Sequence, residues 1–315
     1  MRSHFHAQSS RRVIALLLGC CLMAGPVQAQ GPRPDLVDIV SPNPPSEFGS
    51  PEDAMAEFKA VVSASDLDKL AALLGVNADR LKATEGVEDT LALIKEGVAR
   101  RIGLETQDDQ SIIDVGFIMW PFPFPIIKKE NGKFAFDPVT GIEEIINRRI
   151  GENEIQAIET LRGYVDAQED YALDDHDGDG VLEYAQKLVS TEGQADGLYW
   201  PLSEGLGPSP AGPLIDFEQY NEREEKGYFG YRYKVISRQG DNIAGGAFDY
   251  VINGNMIAGF GLVAWPVKYG ETGVNTFVVN RNGIVYQADL GADTQKIAPD
   301  IRQFNPSDKW VVTED

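Results

Sequence analysis

Beyond its first 29 residues, this 315-residue chain contains no cysteine and a single histidine, His176. That absence excludes disulfides, Cys/His zinc centres and thiol nucleophiles from the rest of the chain. A Ser-His-Asp triad could draw only on His176, and no nucleophile elbow is present to partner it. The nearest approach, Gly207-Pro208-Ser209-Pro210-Ala211, flanks its serine with prolines and fails the G-x-S-x-G spacing. Basic residues are also scarce, 28 against 49 acidic ones, for a net charge of −21. A surface so negative repels nucleic acid and anionic lipid, and suits cations or basic partners. Long apolar runs are missing too. The best one, Val13–Ala24, is shorter than the ~20 residues that a membrane-spanning helix needs, so no membrane span is expected.

That short run belongs to a leader. Arg2, Arg11 and Arg12 precede it, and Val27-Gln28-Ala29 follows it. A basic start, an apolar centre and a V-x-A exit make a secretory signal peptide over residues 1–29, with cleavage expected after Ala29 and a periplasmic or secreted product. Leu17-Leu18-Gly19-Cys20 offers an alternative, a lipoprotein anchored at Cys20. Ser10-Arg11-Arg12-Val13-Ile14 brushes against a twin-arginine signal. Removing a leader with three arginines and no acid leaves 25 basic residues against 49 acidic ones, a net charge of −24.

Residues 30–48 read as a Pro-rich leader segment, extended and mobile. An N-terminal α+β unit is expected over residues 49–140. Ser50 is placed to cap a helix with Pro51 at its first position, and further helical stretches follow at Asp66–Leu74 and Val87–Arg101. The period then changes to that of strands. In IIDVGFIMWPFPFPII, Pro121, Pro123 and Pro125 occupy alternate positions and remove donors from one edge only. The reading is a protected sheet edge, with Trp120, Phe122, Phe124 and Ile126 facing the other way. A second unit is expected over residues 141–315. Here Gly151 ends or kinks a first helix, and a second begins near Asn153 with Ile155, Ile158, Leu161, Val165 and Tyr171 on its buried face. The C-terminal part reads as an antiparallel meander packed on that helix, with hairpin turns at Asn253-Gly254 and Asn280–Gly283. The fold class expected is α+β.

Several long runs carry a family resemblance: WPFPFPI, RRIGENEIQAI, YVDAQEDYA, DHDGDGVLEYAQ, GLYWP, FDYVINGNMIAGFGLVAWPVKYGETGVNTFVVN and GIVYQADLG. Together they make the chain resemble the bacterial exported family labelled domain of unknown function 2950 (DUF2950). The resemblance implies an exported or lipid-anchored envelope protein and brings no catalytic residues with it. From Asn153 to Leu290 the order of helix, DGDGxxEY loop, antiparallel sheet and TGVNTFVVNRNGIVY is similar to the globular part of type II pseudopilins, some of which bind calcium in acidic loops. The long apolar N-terminal helix and prepilin cleavage site of those proteins are absent from this sequence. Residues 50–140 loosely resemble a cystatin- or NTF2-like unit of helix plus sheet.

The densest chemistry lies in Asp174–Tyr184, DDHDGDGVLEY, where five carboxylates crowd a glycine-containing loop. Asp175, Asp177, Asp179 and Gly180 match positions 1, 3, 5 and 6 of an EF-hand loop, but Gln186 stands at position 12 and the nearest acid, Glu183, at position 9. A shortened loop would bind Ca²⁺ through Asp175, Asp177, Asp179, the Val181 carbonyl and Glu183. The rival reading is a helix-ending turn rich in Asp and Gly. His176, amid hard oxygen ligands, is expected to point into solvent. The function expected is therefore a non-enzymatic binding or scaffold protein of the cell envelope, with another envelope protein as partner. The alternatives are a small-molecule receptor or carboxylate-based hydrolase with a pocket of Trp120, Trp200, Tyr231 and Trp265, and a pseudopilin-like assembly subunit.

Overall fold

The computed structural model describes residues 38–107, 109–212 and 226–314. Residues 1–29, read above as a signal peptide, both cysteines among them, and the first residues of the Pro-rich segment lie outside them. Contacts divide the chain into two units, one ending at Arg148 and the other starting at Arg149. Both mix helices with antiparallel sheet.

The first unit opens with helices α1 (Pro51–Ala64), α2 (Leu67–Leu74), α3 (Ala78–Lys82) and α4 (Val87–Arg100). Local chemistry sets the starts of the first three. Ser50 accepts the Asp53 N–H, Asp66 accepts the Lys69 N–H, and Asn77 accepts from Asp79 and Arg80. Strands β1 (Ile102–Gln107), β2 (Gln110–Val115), β3 (Trp120–Pro121), β4 (Ile126–Lys128) and β5 (Phe134–Phe136) follow, in the order β1-β2-β4-β5 with β3 also on β2.

Of the proline triplet, Pro121 lies on an edge as expected, since its strand β3 pairs with β2 alone, whereas Pro123 and Pro125 lie between β3 and β4, outside the strands. The chain turns at Gly116–Met119 and returns along β2, and β4 sits between β2 and β5. Pro123 and Pro125 interrupt the pairing with β2 between β3 and β4, while Phe122 still donates its N–H to Ile113 O (2.7 Å). The reason is the core. Phe122, Phe124 and Ile126 are buried, and the Phe122 ring lies 4.6 Å from Phe58 of α1 and 5.6 Å from Phe124. The end of the Pro-rich segment is also bound, not loose. Phe48 pairs with Phe134 of β5, Ser41 N–H donates to Gly75 O, and Asn77 N–H donates to Ile39 O. Ile39, Val40 and Phe48 each add apolar surface to the core, which anchors the segment.

Helix α5 (Pro138–Tyr171) runs through Gly151 without interruption, so the expected break there does not occur. One exposed glycine costs ~1 kcal/mol of helix propensity, less than the packing of the turns on either side contributes. In the second unit come β6 (Tyr231–Ile236), β7 (Arg238–Gln239), β8 (Phe248–Asp249), β9 (Val251–Ile252), β10 (Asn255–Met256), β11 (Gly261–Pro266), β12 (Asn275–Asn280), β13 (Tyr286–Asp289) and β14 (Val311–Val312). The main sheet is antiparallel, ordered β14-β13-β12-β11-β6. Every residue of β11 is buried, because both faces of the sheet are covered. Leu262 and Ala264 meet α5, whereas Val263 and Trp265 meet Ala298 and Phe304. The face of α5 on the sheet is Ala157, Leu161, Tyr164, Ala167 and Tyr171; Ile155, expected in it, is exposed. Small residues there let the helix approach the sheet closely.

Candidate metal centre

Helix α5 ends at Tyr171 and the acidic loop starts at once. Its glycines carry the turn: Gly178 (φ 78°) and Gly180 (φ 86°) occupy the left-handed region that other residues avoid. Asp175 folds over both of them, accepting the Gly178 N–H on Oδ1 (2.8 Å) and the Gly180 N–H on Oδ2 (2.9 Å). Those two backbone donors, Gly180 first, hold its carboxyl below the ordinary value. Asp177 accepts the Asp179 N–H (3.1 Å), and Asp179 accepts the Val181 N–H (2.7 Å). The chain thus winds around its own carboxylates.

The result is a trio. One oxygen each from Asp175, Asp177 and Asp179 lies within 4.8 Å of the others, all three exposed. Oxygens bound to one Ca²⁺ at ~2.3–2.6 Å can be no more than about 5 Å apart, so the spacing suits that ion. Without a cation, each pair of charges at that distance repels by ~1 kcal/mol in water and ~3–4 kcal/mol at an effective dielectric of about 20. Glu183 lies outside the trio. Its Oε2 accepts the Met256 N–H (2.8 Å), and Tyr184 N–H donates to Met256 O (2.9 Å). Val181 reaches the trio through its N–H; its carbonyl has no described role there.

The loop is pinned at both ends. At its exit the carboxamide of Gln168, buried in α5, accepts the Ala185 N–H and donates to Ala185 O, both at 2.8 Å. At its flank Asn255 of β10 donates to Asp179 Oδ2 (2.7 Å), and Gln186 donates to Gly254 O (2.6 Å). Gln186, the residue at EF-hand position 12, is therefore committed to the β9–β10 hairpin.

His176 does not point into solvent. Its ring stacks on Tyr171 at 4.0 Å and meets Trp200 edge-on at 5.7 Å, with Nε2 3.0 Å from Tyr171 O. The aromatic stack satisfies more of the imidazole surface than water would, so His176 wedges the loop against the helix end. The Tyr171 hydroxyl donates to Ala195 O (2.8 Å). Burial, with the carboxylates of Glu183, Asp196 and Asp177 nearby, pushes the Tyr171 phenol up to about 12.

The tryptophans and tyrosine expected as a possible pocket belong to three separate apolar clusters. Trp200 and Tyr231 sit in the core under α5, Trp265 in the core on the other face of the sheet, and Trp120 against the core of the first unit. Sequence reasoning missed two polar residues that organise the second unit, Gln168 and Glu154. Glu154 Oε1 accepts the N–H groups of Val274 (2.8 Å) and Asn275 (2.9 Å), and Oε2 accepts from Asn275 Nδ2 (2.9 Å). Both lie among other polar residues of α5, where the helical pattern assigns them to the solvent side.

The chain belongs to the family described as Protein of unknown function (DUF2950), whose model matches residues 46–313. No curated protein and no solved structure matches it.

Proposed function

We propose that this family member is an exported envelope protein that acts by binding or scaffolding rather than by catalysis, and that its acidic loop holds a structural Ca²⁺. The observation that carries the metal reading is the trio of Asp175, Asp177 and Asp179 with ligand oxygens within 4.8 Å of one another. The Val181 carbonyl and the second oxygen of Glu183 complete the coordination after a small shift of the loop, with water filling the rest. Because the loop is tied to α5 by Gln168 and to the β9–β10 hairpin by Asn255, a bound ion would staple helix end to sheet. Export rests on the leader, with cleavage after Ala29 favoured over lipidation at Cys20.

Thermal unfolding of residues 30–315 with Ca²⁺, Mg²⁺ or chelator tests the reading. A 100-fold excess of Ca²⁺ over Kd stabilises a native-state site by about 2.7 kcal/mol. The expected result is a Ca²⁺-specific rise that disappears in Asp177→Ala plus Asp179→Ala. No rise at millimolar Ca²⁺ would reduce the loop to a helix-ending turn.

A second reading, a pseudopilin-like assembly subunit, is favoured by the packing of α5 along an antiparallel sheet. Calcium-dependent self-association in sedimentation velocity would support it over a monomeric scaffold.

A further inference from the structure

Strand β1 is the outermost strand of the first unit's sheet and pairs with β2 alone. The register fixes which of its backbone groups are used. Gly116 donates its N–H to Arg101 O (2.8 Å), so the two residues, one step beyond the ladder, face each other as a hydrogen-bonded pair. Such pairs alternate along an antiparallel ladder. Gly103, Glu105 and Gln107 therefore turn their N–H and C=O groups toward β2, whereas Ile102, Leu104 and Thr106 turn theirs away from it. The Phe122 N–H agrees with this alternation, since it reaches Ile113 O from the far side of β2 and Ile113 is the partner of Leu104. Among the described residues, no other backbone segment pairs with the outward groups of β1.

Native sheets shield such edges with proline, lysine, a bulge or a covering segment. The opposite edge of this sheet has cover, because Phe48 pairs with Phe134 of β5. The edge at β1 lacks the usual devices. Its register with β2 runs unbroken from Ile102 to Gln107, and IGLETQ contains neither proline nor lysine.

The side chains say what could pair there. Ile102 and Leu104 are half-buried at the rim of the core. On the other face come Arg101, Gly103 and Glu105. Arg101 is extended (φ −160°, ψ 140°) and exposed, so it continues the strand past the end of α4. Its charge acts on Asp114, but it closes no ion pair among the described residues. Glu105, also exposed, accepts from Gln107 Nε2 (2.9 Å). A cation and an anion thus stand two residues to either side of a glycine, a pattern complementary to itself when the strand is turned end for end.

We propose that β1 pairs with β1 of a second copy of this chain, antiparallel about a two-fold axis at Gly103. Each Arg101 then lies opposite the partner subunit's Glu105. Each Ile102 exchanges backbone hydrogen bonds with the partner subunit's Leu104, extending both sheets into one. Gly103 meets its counterpart on the axis with no side chain between them, as glycines in strands do where another backbone comes close. Slipping the register by two residues leaves both charges without an opposite partner, and slipping it by four sets Glu105 against Glu105. The net charge of −21 on each copy opposes association, but salt at 0.15 M screens exposed charges beyond ~8 Å and leaves pairs in contact.

The test is sedimentation velocity of residues 30–315 in 0.15 M NaCl at concentrations up to submillimolar. A monomer–dimer equilibrium is expected, and chelator should leave it unchanged, which separates it from calcium-dependent assembly. Arg101→Glu and Glu105→Arg should each weaken the dimer about tenfold or more, by setting like charges opposite one another. Mixed in equal amounts, these two variants should form a heterodimer in which every opposed pair again has opposite signs, and the double variant should dimerise like the wild type. Gly103→Cys adds the one thiol of residues 30–315 at the axis, where non-hydrogen-bonded partners stand ~4.5 Å apart at Cα, within disulfide range. Mild oxidation should link it into a dimer and should not link Gln107→Cys. A monomer at every concentration, single reversals without effect, or no association on mixing them would each overturn the proposal. If Gly103→Cys fails to fold, the charge exchange still decides it.

Discussion

Glu154 joins helix to sheet with one carboxylate. It takes two backbone N–H groups and the Asn275 amide, all at the start of β12. Removing it would leave those donors half-buried without an acceptor. Glu154→Ala should therefore cost ~2–3 kcal/mol in urea unfolding, and Glu154→Gln about 1 kcal/mol, since one acceptor oxygen remains. Asp114 in β2 illustrates the opposite case. Burial, aided by Glu105 and opposed by Arg101, raises its pKa above the ordinary value. The folded state then holds its proton where the unfolded chain, near 3.8, has already lost it. Stability should fall as pH rises from about 4 through the raised value. Asp114→Asn should remove that slope and be the more stable form at pH 7, as urea unfolding between pH 4 and 7 would show.

Among the elements, α5 carries three glycines, two of which have opposite roles. A Cβ at Gly141 would lie 2.2 Å from the Phe124 ring, so the helix start can pack on WPFPF only without a side chain. At Gly151 a Cβ would meet nothing within 4 Å. Gly141→Ala should destabilise by ~1–3 kcal/mol through overpacking, whereas Gly151→Ala should stabilise by ~0.5–1 kcal/mol through helix propensity. Chemical denaturation midpoints of the two variants, moving in opposite directions, check both. The same helix shows why periodicity alone misplaces a buried face. Apolar size favours Ile155, but close approach to the sheet favours Ala157 and Ala167, with Tyr164 hydrogen-bonded to Gly261 O (3.2 Å). The prolines at 121, 123 and 125 mislead in a similar way. A missing donor suggests an edge, which holds for Pro121 in β3, whereas Pro123 and Pro125 leave the strand as Phe122 and Phe124 are drawn into the core beside Phe58.

Over the whole molecule, charge works against compactness. With 49 acidic and 28 basic residues, self-repulsion opposes the folded state. Raising NaCl from about 0.01 to 0.15 M shortens the Debye length from ~30 to ~8 Å. The thermal midpoint should rise over that range in the wild type and, by less, in Asp177→Ala plus Asp179→Ala, which has lost the repulsion within the trio, in contrast to the Ca²⁺-specific rise that the variant loses altogether. Scanning calorimetry at fixed pH separates the two.

Information local in the chain was legible without the structure. The cap at Ser50, the turn at Asn253-Gly254, the α+β class and the crowding of acids after α5 all depend on residues within a few positions of one another. What needed the tertiary structure was everything decided by residues far apart in sequence. Glu154 meets β12 across about 120 positions, His176 finds Trp200, and Glu183 is drawn to Met256 and away from the aspartate trio. A carboxylate's or ring's partner is set by which backbone donors and apolar surfaces the fold leaves unsatisfied beside it, and that is a property of the packed chain.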